Sequence, residues 1–327
     1  MVSWLKETAL GTPSRDDLSQ PFLIFNGIFR GRLVRLTTTA TEILARHDDP
    51  APVAKLLAEA MAAAVALAGG LKYDGVFSLQ LQSDGPVHTL VADVTSSGGV
   101  RACSKFDPDR LRAEMEKRPD GLFPHLVGVG HLAFTVDQGP DTERYQGIVD
   151  LRDESLADSV HHYFRQSEQL ASALKVAVAR KSGPQGDEWT AAALLLQQMP
   201  EEGGQLEDIL PSDERDDAWR TAVILLGSLK DSELLDTQLS SERLLHRIFG
   251  TVGMRPLAPR PVRAVCRCSG ERSIRILASF PAEEVRNLAT DGSVSMTCEF
   301  CRQVYTFTVA EIDAVAKTTD HPGKGNI

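Results

Sequence analysis

Between residues 76 and 180 the chain repeatedly alternates apolar and polar side chains, a period-two pattern that is typical of half-buried strands. In VFSLQLQSDGP, Phe77, Leu79 and Leu81 alternate with serine and glutamine, and the Ser-Asp-Gly-Pro that follows favours a turn. The pattern continues in VHTLVADV, GVRACS, HLAFTVD, ERYQGIVDL and LKVAVAR. These stretches predict a run of strands, and the apolar stretch at 22–36 predicts one earlier strand.

Other stretches of this region have helical spacing or a helix-forming composition. The alanine-rich stretch at 53–70 predicts a helix that packs closely against a sheet and ends at a pair of glycines. Shorter helices are predicted at 39–50, where a proline stops the pattern, and at 156–170. We therefore predict one α+β domain over residues 21–200, preceded by a loose N-terminal extension over residues 1–20.

Beyond Pro200 the composition changes, and an acidic stretch leads into short helices. Residues 201–217 are acidic, and three helix candidates follow, AWRTAVILLGSLK, DSELLDTQ and SERLLHRIFG, before a proline-rich connection at 254–262. Helices this short are barely stable alone in water. We predict a helical, metastable linker over 201–262 whose apolar side chains need a partner surface. The apolar candidates are Trp219, Ile224, Leu225, Leu226 and Leu229.

The last segment predicts a compact unit over residues 263–317. A helix is expected after Pro281, a turn at Asp291-Gly292, and a hairpin from SVSMT and QVYTFTV with CEFC between them. Thr308 and Glu311 fit a capping box at the start of a final helix, and residues 318–327 form a polar tail. The predicted fold class is thus α+β, with a strand-rich N-terminal α+β domain, a helical linker and a small C-terminal domain that carries four of the five cysteines.

The charge and the ends of the chain narrow the classes of function. The net charge is −10, which disfavours a surface for nucleic acids because such surfaces rely on clustered lysine and arginine. The N-terminus shows no secretory signal, and the most apolar window, 59–71, is too short and glycine-interrupted to span a bilayer. We expect a cytoplasmic protein without a membrane or nucleic-acid partner. Because cytoplasmic thiols are kept reduced, paired cysteines there indicate metal or redox chemistry.

Four of the five cysteines form two close pairs, Cys266 with Cys268 and Cys298 with Cys301, separated by twenty-nine residues. A Cys-x-x-Cys turn in a hairpin is typical of a zinc knuckle, and two pairs together offer a tetrahedral thiolate site. A unit of about fifty residues has a thin core, and zinc binding adds roughly 10–16 kcal/mol in small zinc peptides. The four cysteines are therefore predicted to bind zinc. In most zinc ribbons the metal only holds the fold.

The Cys-x-Cys pair also admits a second interpretation. In an extended chain its two Cα atoms would lie about 6.6–7.2 Å apart, whereas a disulfide usually needs about 4.4–6.8 Å. Closing a bond between Cys266 and Cys268 therefore needs a local bend. Oxidised sulfurs cannot hold zinc as thiolates, so oxidation would release the metal and change the backbone together, as in a switch.

No other residues predict catalytic chemistry. Cys103 lies in a predicted strand and is interpreted as a small buried hydrophobe. The pair His161-His162 lacks the glutamate and the spacing of a metalloprotease motif, and neither a Walker A sequence nor G-x-S-x-G is present. We assign no catalytic and no organic-cofactor residues, and do not expect an enzyme.

Four stretches and the order of the cysteine pairs carry a resemblance to a known family. They are LQLQSDGP at 79–86, ERYQG at 143–147, YFRQSEQL at 163–170 and LLLQQMP at 194–200, followed by C-x-C and C-x-x-C. With these, nearly the whole chain resembles the redox-regulated heat-shock chaperones of thirty-three kilodaltons. The extended N-terminus is the main departure from the family, and we assign it no role.

The resemblance implies a holdase chaperone that needs no ATP. It would be inactive when reduced, with one Zn²⁺ per chain on Cys266, Cys268, Cys298 and Cys301. Hypochlorous acid, or peroxide with heat, would form the disulfides Cys266–Cys268 and Cys298–Cys301 and release zinc. The end unit would then unfold, the chain would form a homodimer, and unfolding client proteins would bind. From the marginal helices and the acidic break at 201–217, we further hypothesise that the linker would then detach and expose apolar surface, which binds partly unfolded chains.

Two other functions remain open at this point. A zinc-ribbon binding module would use arginines of the end unit, although nearby glutamates and aspartates offset most of this charge; the arginines are Arg263, Arg267, Arg272, Arg275, Arg286 and Arg302. A thiol–disulfide oxidoreductase would use the Cys298–Cys301 pair, but such motifs sit at a helix N-terminus, whereas this pair is predicted in a hairpin.

Overall fold

The structure is a computed structural model that describes residues 17–71, 73–139, 142, 145–151, 154–165, 170–184, 186–199 and 212–319. The chain divides into a first unit, Met1–Ala264, and a second unit, Val265–Ile327. Most of the predicted N-terminal extension, the acidic segment 201–211 and residues 320–327 of the tail lie outside the described residues. The described part confirms the predicted α+β fold class.

The strands of the first unit are β1 (Leu18–Ile24), β2 (Phe29–Leu36), β3 (Val76–Ser83), β4 (Val87–Thr95), β5 (Gly99–Phe106), β6 (Gly130–Asp137), β7 (Tyr145–Leu151), β8 (Ser172–Gly183), β9 (Gly186–Gln198), β10 (Arg255–Pro256), β11 (Arg260–Pro261) and β12 (Arg263–Ala264). Its helices are α1 (Thr38–Leu44), α2 (Ala51–Ala68), α3 (Pro108–Lys117), α4 (Phe123–Val127), α5 (Leu156–Tyr163), α6 (Ser212–Ser228), α7 (Asp231–Leu234) and α8 (Ser241–Phe249).

The described strands of this unit form two six-stranded sheets. The first sheet has the order β10-β1-β2-β9-β8, with β11 also pairing with β1, and the second has the order β12-β5-β4-β3-β6-β7. Side chains alternate across β2, so that Val34 and Leu36 enter one core cluster while Phe29 and Leu33 enter another. The first sheet is therefore covered on both faces.

Helix α2 fills the space between the two sheets. Its alanines allow close approach, and its buried residues share one core cluster with Val34 of the first sheet and with Phe77 and Leu79 of the second. Among the described residues, α2 is the one helix long and apolar enough to cross a membrane by length and composition. Because 78% of that helix is buried inside the protein, it serves here as a core helix.

Helices α6 to α8 cover the other face of the first sheet. Trp219 meets Phe29 edge-on at 5.3 Å between ring centroids, and Phe249 stacks on Phe22 at 5.5 Å. This sheet face is the partner surface that the short helices were expected to need. The prediction that Ile224 packs against this surface is wrong, because its side chain is 71% exposed on the outer side of α6.

A buried arginine also ties this helical layer to the sheet. The Arg35 side chain lies on β2 and is 1% exposed. Its guanidinium donates to the backbone carbonyls of Leu234 at 2.9 Å and Glu233 at 3.3 Å, and also to that of Leu239. The carbonyls of Glu233 and Leu234 at the end of α7 thus accept hydrogen bonds from a side chain of β2.

The start of the described chain corrects the prediction of a loose extension over residues 1–20. Residues 18–20 belong to β1, and the buried Asp17 carboxylate accepts the backbone N–H groups of Thr37, Thr38 and Thr39 at 3.0, 3.1 and 2.9 Å. The carboxylate supplies the acceptors that the first turn of α1 lacks. For residues 17–20 the prediction is therefore wrong.

Two further segments differ from their predictions. The single strand expected at 22–36 is a hairpin, because Phe25 and Asn26 turn the chain with φ of 51° and 56°. The proline-rich connection at 254–262 is not purely irregular: β10 and β11 pair with β1, and Val262 is buried in the core that contains α2. The end of the predicted linker is therefore part of the first sheet.

The second unit contains α9 (Gly270–Ala278), α10 (Ala282–Leu288), β13 (Ser293–Thr297), β14 (Val304–Thr308) and α11 (Val309–Thr319). The predicted helix after Pro281, the hairpin and the capping box are confirmed, with the Thr308 N–H and the Glu311 carboxylate 2.8 Å apart. Helix α9 was not predicted. The described core of this unit has four fully buried apolar residues, Leu277, Val285, Val294 and Ile312.

Candidate metal centre

The hairpin of the second unit positions Cys298 and Cys301 in the tight turn between β13 and β14. The Cys298 N–H donates to the Gln303 carbonyl and the Cys298 carbonyl accepts the Arg302 N–H, both at 2.9 Å. Arg302 adopts a left-handed conformation with φ of 60° to close the turn. The turn brings both sulfurs of the pair to one side of the hairpin, within 4.8 Å of each other.

The second pair comes directly before α9. Cys268 precedes Ser269, whose hydroxyl caps the helix by accepting the Arg272 N–H at 3.2 Å. The capped start of α9 therefore fixes the position of Cys268.

The four sulfurs converge on one point. Cys266 and Cys298 sulfurs are 3.7 Å apart, Cys268 and Cys301 sulfurs are 3.4 Å apart, and all four lie within 4.8 Å of one another. Tetrahedral zinc with Zn–S bonds of about 2.3 Å would place its sulfurs about 3.8 Å apart. A disulfide needs about 2.05 Å. The arrangement therefore has the spacing of a tetrahedral metal site and contains no disulfide.

The electrostatics of the group also favour a cation. The pKa of the Cys301 thiol is raised to about 12, chiefly by burial; a backbone hydrogen bond from Gln303 opposes the shift, and the three neighbouring sulfurs add to it. Crowded thiols resist ionising together because thiolates repel. A zinc ion removes this obstacle, since a coordinated thiol loses its proton outright. The donor set thus fits zinc.

Comparisons with known proteins agree with this architecture. A family model described as Hsp33 protein matches residues 17–308. This chain belongs to the Hsp33 family. It is 38% identical over 302 residues to the 33 kDa chaperonin of Caulobacter vibrioides (strain NA1000 / CB15N), covering 92% of this chain and 98% of that protein. It is 37% identical to the 33 kDa chaperonin of Pseudomonas fluorescens (strain SBW25), and the match covers 90% of this chain and 92% of that protein.

A solved structure shares the fold. The crystal structure of the 33 kDa chaperonin from Thermotoga maritima superposes with a TM-score of 0.73 at 19% identity, covering 93% of this chain and 99% of that one. Family membership thus rests on sequence, and the fold is supported by structure. The role that fits an Hsp33 family member with four clustered cysteines is that of a heat-shock chaperone.

One residue beside the centre was missed in the sequence. The Tyr305 hydroxyl, on β14, lies 3.2 Å from the Cys268 sulfur. This contact and the surrounding sulfurs raise the pKa of Tyr305 to about 12, so the hydroxyl keeps its proton. The signal available was its position four residues after Cys301, in the strand that leaves the turn.

The remaining candidates lie away from the four sulfurs. Cys103 is buried in β5, as predicted. His161 and His162 lie at the end of α5, where the His161 Nδ1 contacts the Ser172 carbonyl at 2.7 Å. Of the candidate site residues that the structure describes, only the four paired cysteines lie close enough together to bind one metal ion.

Proposed function

We propose that this chain is a redox-regulated, ATP-independent holdase chaperone that is inactive when reduced and zinc-bound. The observation that carries the proposal is the four-sulfur cluster in a unit with a small core, within a chain of the Hsp33 family. Relatives named 33 kDa chaperonin support the chaperone part. As a cytoplasmic protein, it would act on unfolding clients without a membrane or nucleic-acid partner and without catalytic turnover.

In the reduced state, one Zn²⁺ per chain would be held by Cys266, Cys268, Cys298 and Cys301. The metal would supply the folding free energy that four buried apolar residues cannot. The hairpin turn and the capped start of α9 hold the sulfurs at ligand spacing. The cluster would therefore decide whether the second unit is folded.

Oxidation would remove the thiolates that bind zinc. Two thiolates give up two electrons to an oxidant such as hypochlorous acid, which is reduced to chloride and water after taking up a proton, and an S–S bond forms. Two such reactions consume all four ligands, and zinc leaves because a disulfide offers no thiolate. The second unit would then lose the metal that stabilises it and unfold.

The disulfides would be Cys266–Cys268 and Cys298–Cys301. In the folded unit the close approaches include Cys266 with Cys298 at 3.7 Å and Cys268 with Cys301 at 3.4 Å, so these distances do not select the proposed pairing. What favours it is loop-closure entropy, because the two pairs that are close in sequence close the shortest loops once the first oxidation has loosened the unit and the disulfide can exchange with the remaining thiols. Mass spectrometry of unreduced peptides would report the pairing directly.

We further propose that the unfolded second unit releases helices α6 to α8 from the first sheet. These helices connect to the second unit through residues 255–264. Their release would expose apolar side chains such as Trp219 and Phe29, which bind unfolding proteins and support a homodimer. Hydrogen exchange should show α6 to α8 less protected after oxidation; equal protection in both states would contradict this step.

The deciding experiment follows zinc and client aggregation together. The purified chain is oxidised, released zinc is titrated, and suppression of aggregation of a thermally unfolding client is measured before and after. One zinc lost per chain with a gain of holding activity supports the proposal. If zinc is retained, or is lost without a gain of holding activity, the proposal is contradicted and the cysteines only stabilise the fold.

Matched variants separate the cluster from the remaining cysteine. Cys298→Ser should lose zinc and hold clients without oxidant. Cys103→Ala should behave as the wild type, because Cys103 is buried in β5 and lies outside the cluster. Holding activity that depends on Cys103 would point to a different redox group.

A further inference from the structure

A cavity of about 230 Å³ in the first unit is lined by residues from four parts of the chain. These are β1 and β2, the end of α2, the turn between β4 and β5, and β11. The polar side of the cavity includes Ser19, Arg32, Tyr73, Ser97 and Arg260. Its volume is below the roughly 300–1,000 Å³ of sites for drug-sized ligands, so it suits a small molecule.

Arg32 reaches the cavity from β2. Its guanidinium donates to the Gly69 carbonyl at the end of α2 and to the Ser19 hydroxyl at 3.1 Å. Its neighbour Arg30 donates in the same way to the Gly70 carbonyl at 3.1 Å. These arginines therefore cap the helix. The hydrogen bonds to Gly69 and Ser19 occupy two of the five N–H donors of the Arg32 guanidinium, which leaves others for a ligand.

A second guanidinium lies at the mouth of the same cavity. Arg260 is exposed on β11, where it pairs with Ser19 of β1. Burial, together with the charges of Arg260 and Arg30, lowers the pKa of Arg32 to about 10. Burial raises the pKa of Tyr73 to about 12, although both Arg260 and Arg32 act against that shift. The two arginines are thus close enough to repel each other.

The described residues that line the cavity include no carboxylate. The end of α2 contributes a partial negative charge of only about half a unit, which offsets a fraction of two cations. Two guanidinium groups that line one recess without a carboxylate offer charge and hydrogen-bond donors that suit an anion. We propose that this cavity binds a small phosphate-type oxyanion between Arg32 and Arg260.

The chemistry of the donors favours phosphate over carboxylate. One carboxylate satisfies one guanidinium fork, whereas a phosphate group has enough oxygens to accept from two guanidinium groups at once. Ser97 adds a hydroxyl on the wall of the cavity. The proposed ligand is therefore inorganic phosphate or a small phosphate monoester.

The wall opposite α2 is shaped by a specific backbone contact. Gly98 has φ of +86°, and a Cβ there would lie 2.4 Å from the Pro261 carbonyl oxygen. Only glycine lets the turn between β4 and β5 approach β11 this closely. The recess is thus built by tight packing of the two segments.

The test is calorimetric titration of the reduced, zinc-loaded full chain with inorganic phosphate at constant ionic strength. We expect saturable binding of one phosphate, weakened about tenfold or more by Arg260→Gln, as for a lost charge-assisted hydrogen bond. Arg260→Lys keeps the charge without the planar fork and should bind with intermediate affinity. Circular dichroism checks that each variant is folded.

Arg255→Gln is the matched control, because Arg255 is exposed on the neighbouring β10 and does not line the cavity. It should bind phosphate as the wild type does. Sulfate and glycerol phosphate should compete, and acetate should not. The proposal is overturned if wild type shows no saturable binding, if Arg255→Gln weakens binding as much as Arg260→Gln, or if acetate competes equally.

Discussion

The hydroxyl group of Tyr305 lies 3.2 Å from the sulfur of Cys268, one of the four clustered cysteines. With a pKa raised to about 12, chiefly by this contact, the hydroxyl stays protonated and can donate to a thiolate. Groups that hydrogen-bond to metal ligands orient them and tune the metal. Tyr305 would therefore tune the proposed metal site through Cys268 without being a ligand itself.

Tyr305→Phe should lower zinc affinity by about tenfold, within the range seen when such outer partners are removed. Competition with a chromophoric chelator measures this on the reduced chain. Thr306→Val is the control, since it removes a neighbouring hydroxyl that contacts Ser295 at 2.9 Å instead of a cysteine. Equal losses in both variants would mean that the hairpin, not the sulfur contact, is responsible.

Arg35→Met should loosen α7 and α8 from the first sheet. The variant loses a buried guanidinium that donates to carbonyls of the α7 segment, and hydrogen bonds to charged groups contribute about 1.5–3 kcal/mol. Hydrogen exchange of residues 231–249 in the reduced chain should rise accordingly. If release of these helices activates the chaperone, this variant should also hold clients without oxidant.

Lys175→Met provides the comparison for that experiment. Lys175 pairs with Asp231 of α7 at 3.0 Å, but Asp231 is 65% exposed, so the pair contributes less than about 1 kcal/mol. Exchange in this variant should stay near that of the wild type. If Lys175→Met and Arg35→Met raise it equally, the buried arginine has no special role.

Gly147→Ala should destabilise the first unit by about 1–3 kcal/mol, the usual cost of overpacking. A Cβ at Gly147 would lie 2.0 Å from the hydroxyl oxygen of Tyr163, a side chain that is 2% exposed. Gly227→Ala on α6 meets nothing within 4 Å and should stabilise by about 0.5–1 kcal/mol. Denaturant titration of both variants checks the opposite signs.

Glu59 on α2 predicts a pH dependence of stability. Burial raises its pKa above 4.5, and Lys55 at 3.9 Å only partly opposes this. Because the folded chain holds this proton more tightly than the unfolded chain, stability falls as the pH rises above about 4.5 and the group ionises. Glu59→Gln should therefore be more stable than the wild type at neutral pH.

That advantage should shrink as the pH falls toward 4.5, where wild-type Glu59 regains its proton. Thermal unfolding at several pH values measures it. Glu42→Gln, at an exposed position on α1, should match the wild type throughout. A pH-independent gain for Glu59→Gln would show that packing, not ionisation, explains the effect.

The sequence predicted most of the strands that have one apolar and one polar face, and it also predicted the long helix α2. Alternation revealed β3 to β7, and alanine content revealed α2. Strand β9 was missed because Ala191 to Leu196 are all buried, so it has no polar face and is rich in helix formers. Strands β10 to β12 have two residues each and exist only through distant partners, which no local pattern can show.

The same contrast between local and long-range signals holds at the candidate metal centre. Spacing alone predicted that Cys266, Cys268, Cys298 and Cys301 belong together, because paired cysteines are a local signal. Tyr305 depends on which way β14 leaves the turn, and the role of Arg35 depends on a helix almost two hundred residues later. Interactions of this kind are defined by packing between elements and were not predicted.

The pairing of β12 with β5 has a consequence for how the protein is made. Arg263 and Ala264 lie alongside Gly99 and Val100, and residues 255–261 border β1 near the start of the described chain. A nascent chain of two hundred residues therefore lacks the strands that cover one edge of each sheet, and open sheet edges invite wrong pairing. The first unit can finish folding only after residue 264, two positions before the first of the clustered cysteines, has left the ribosome.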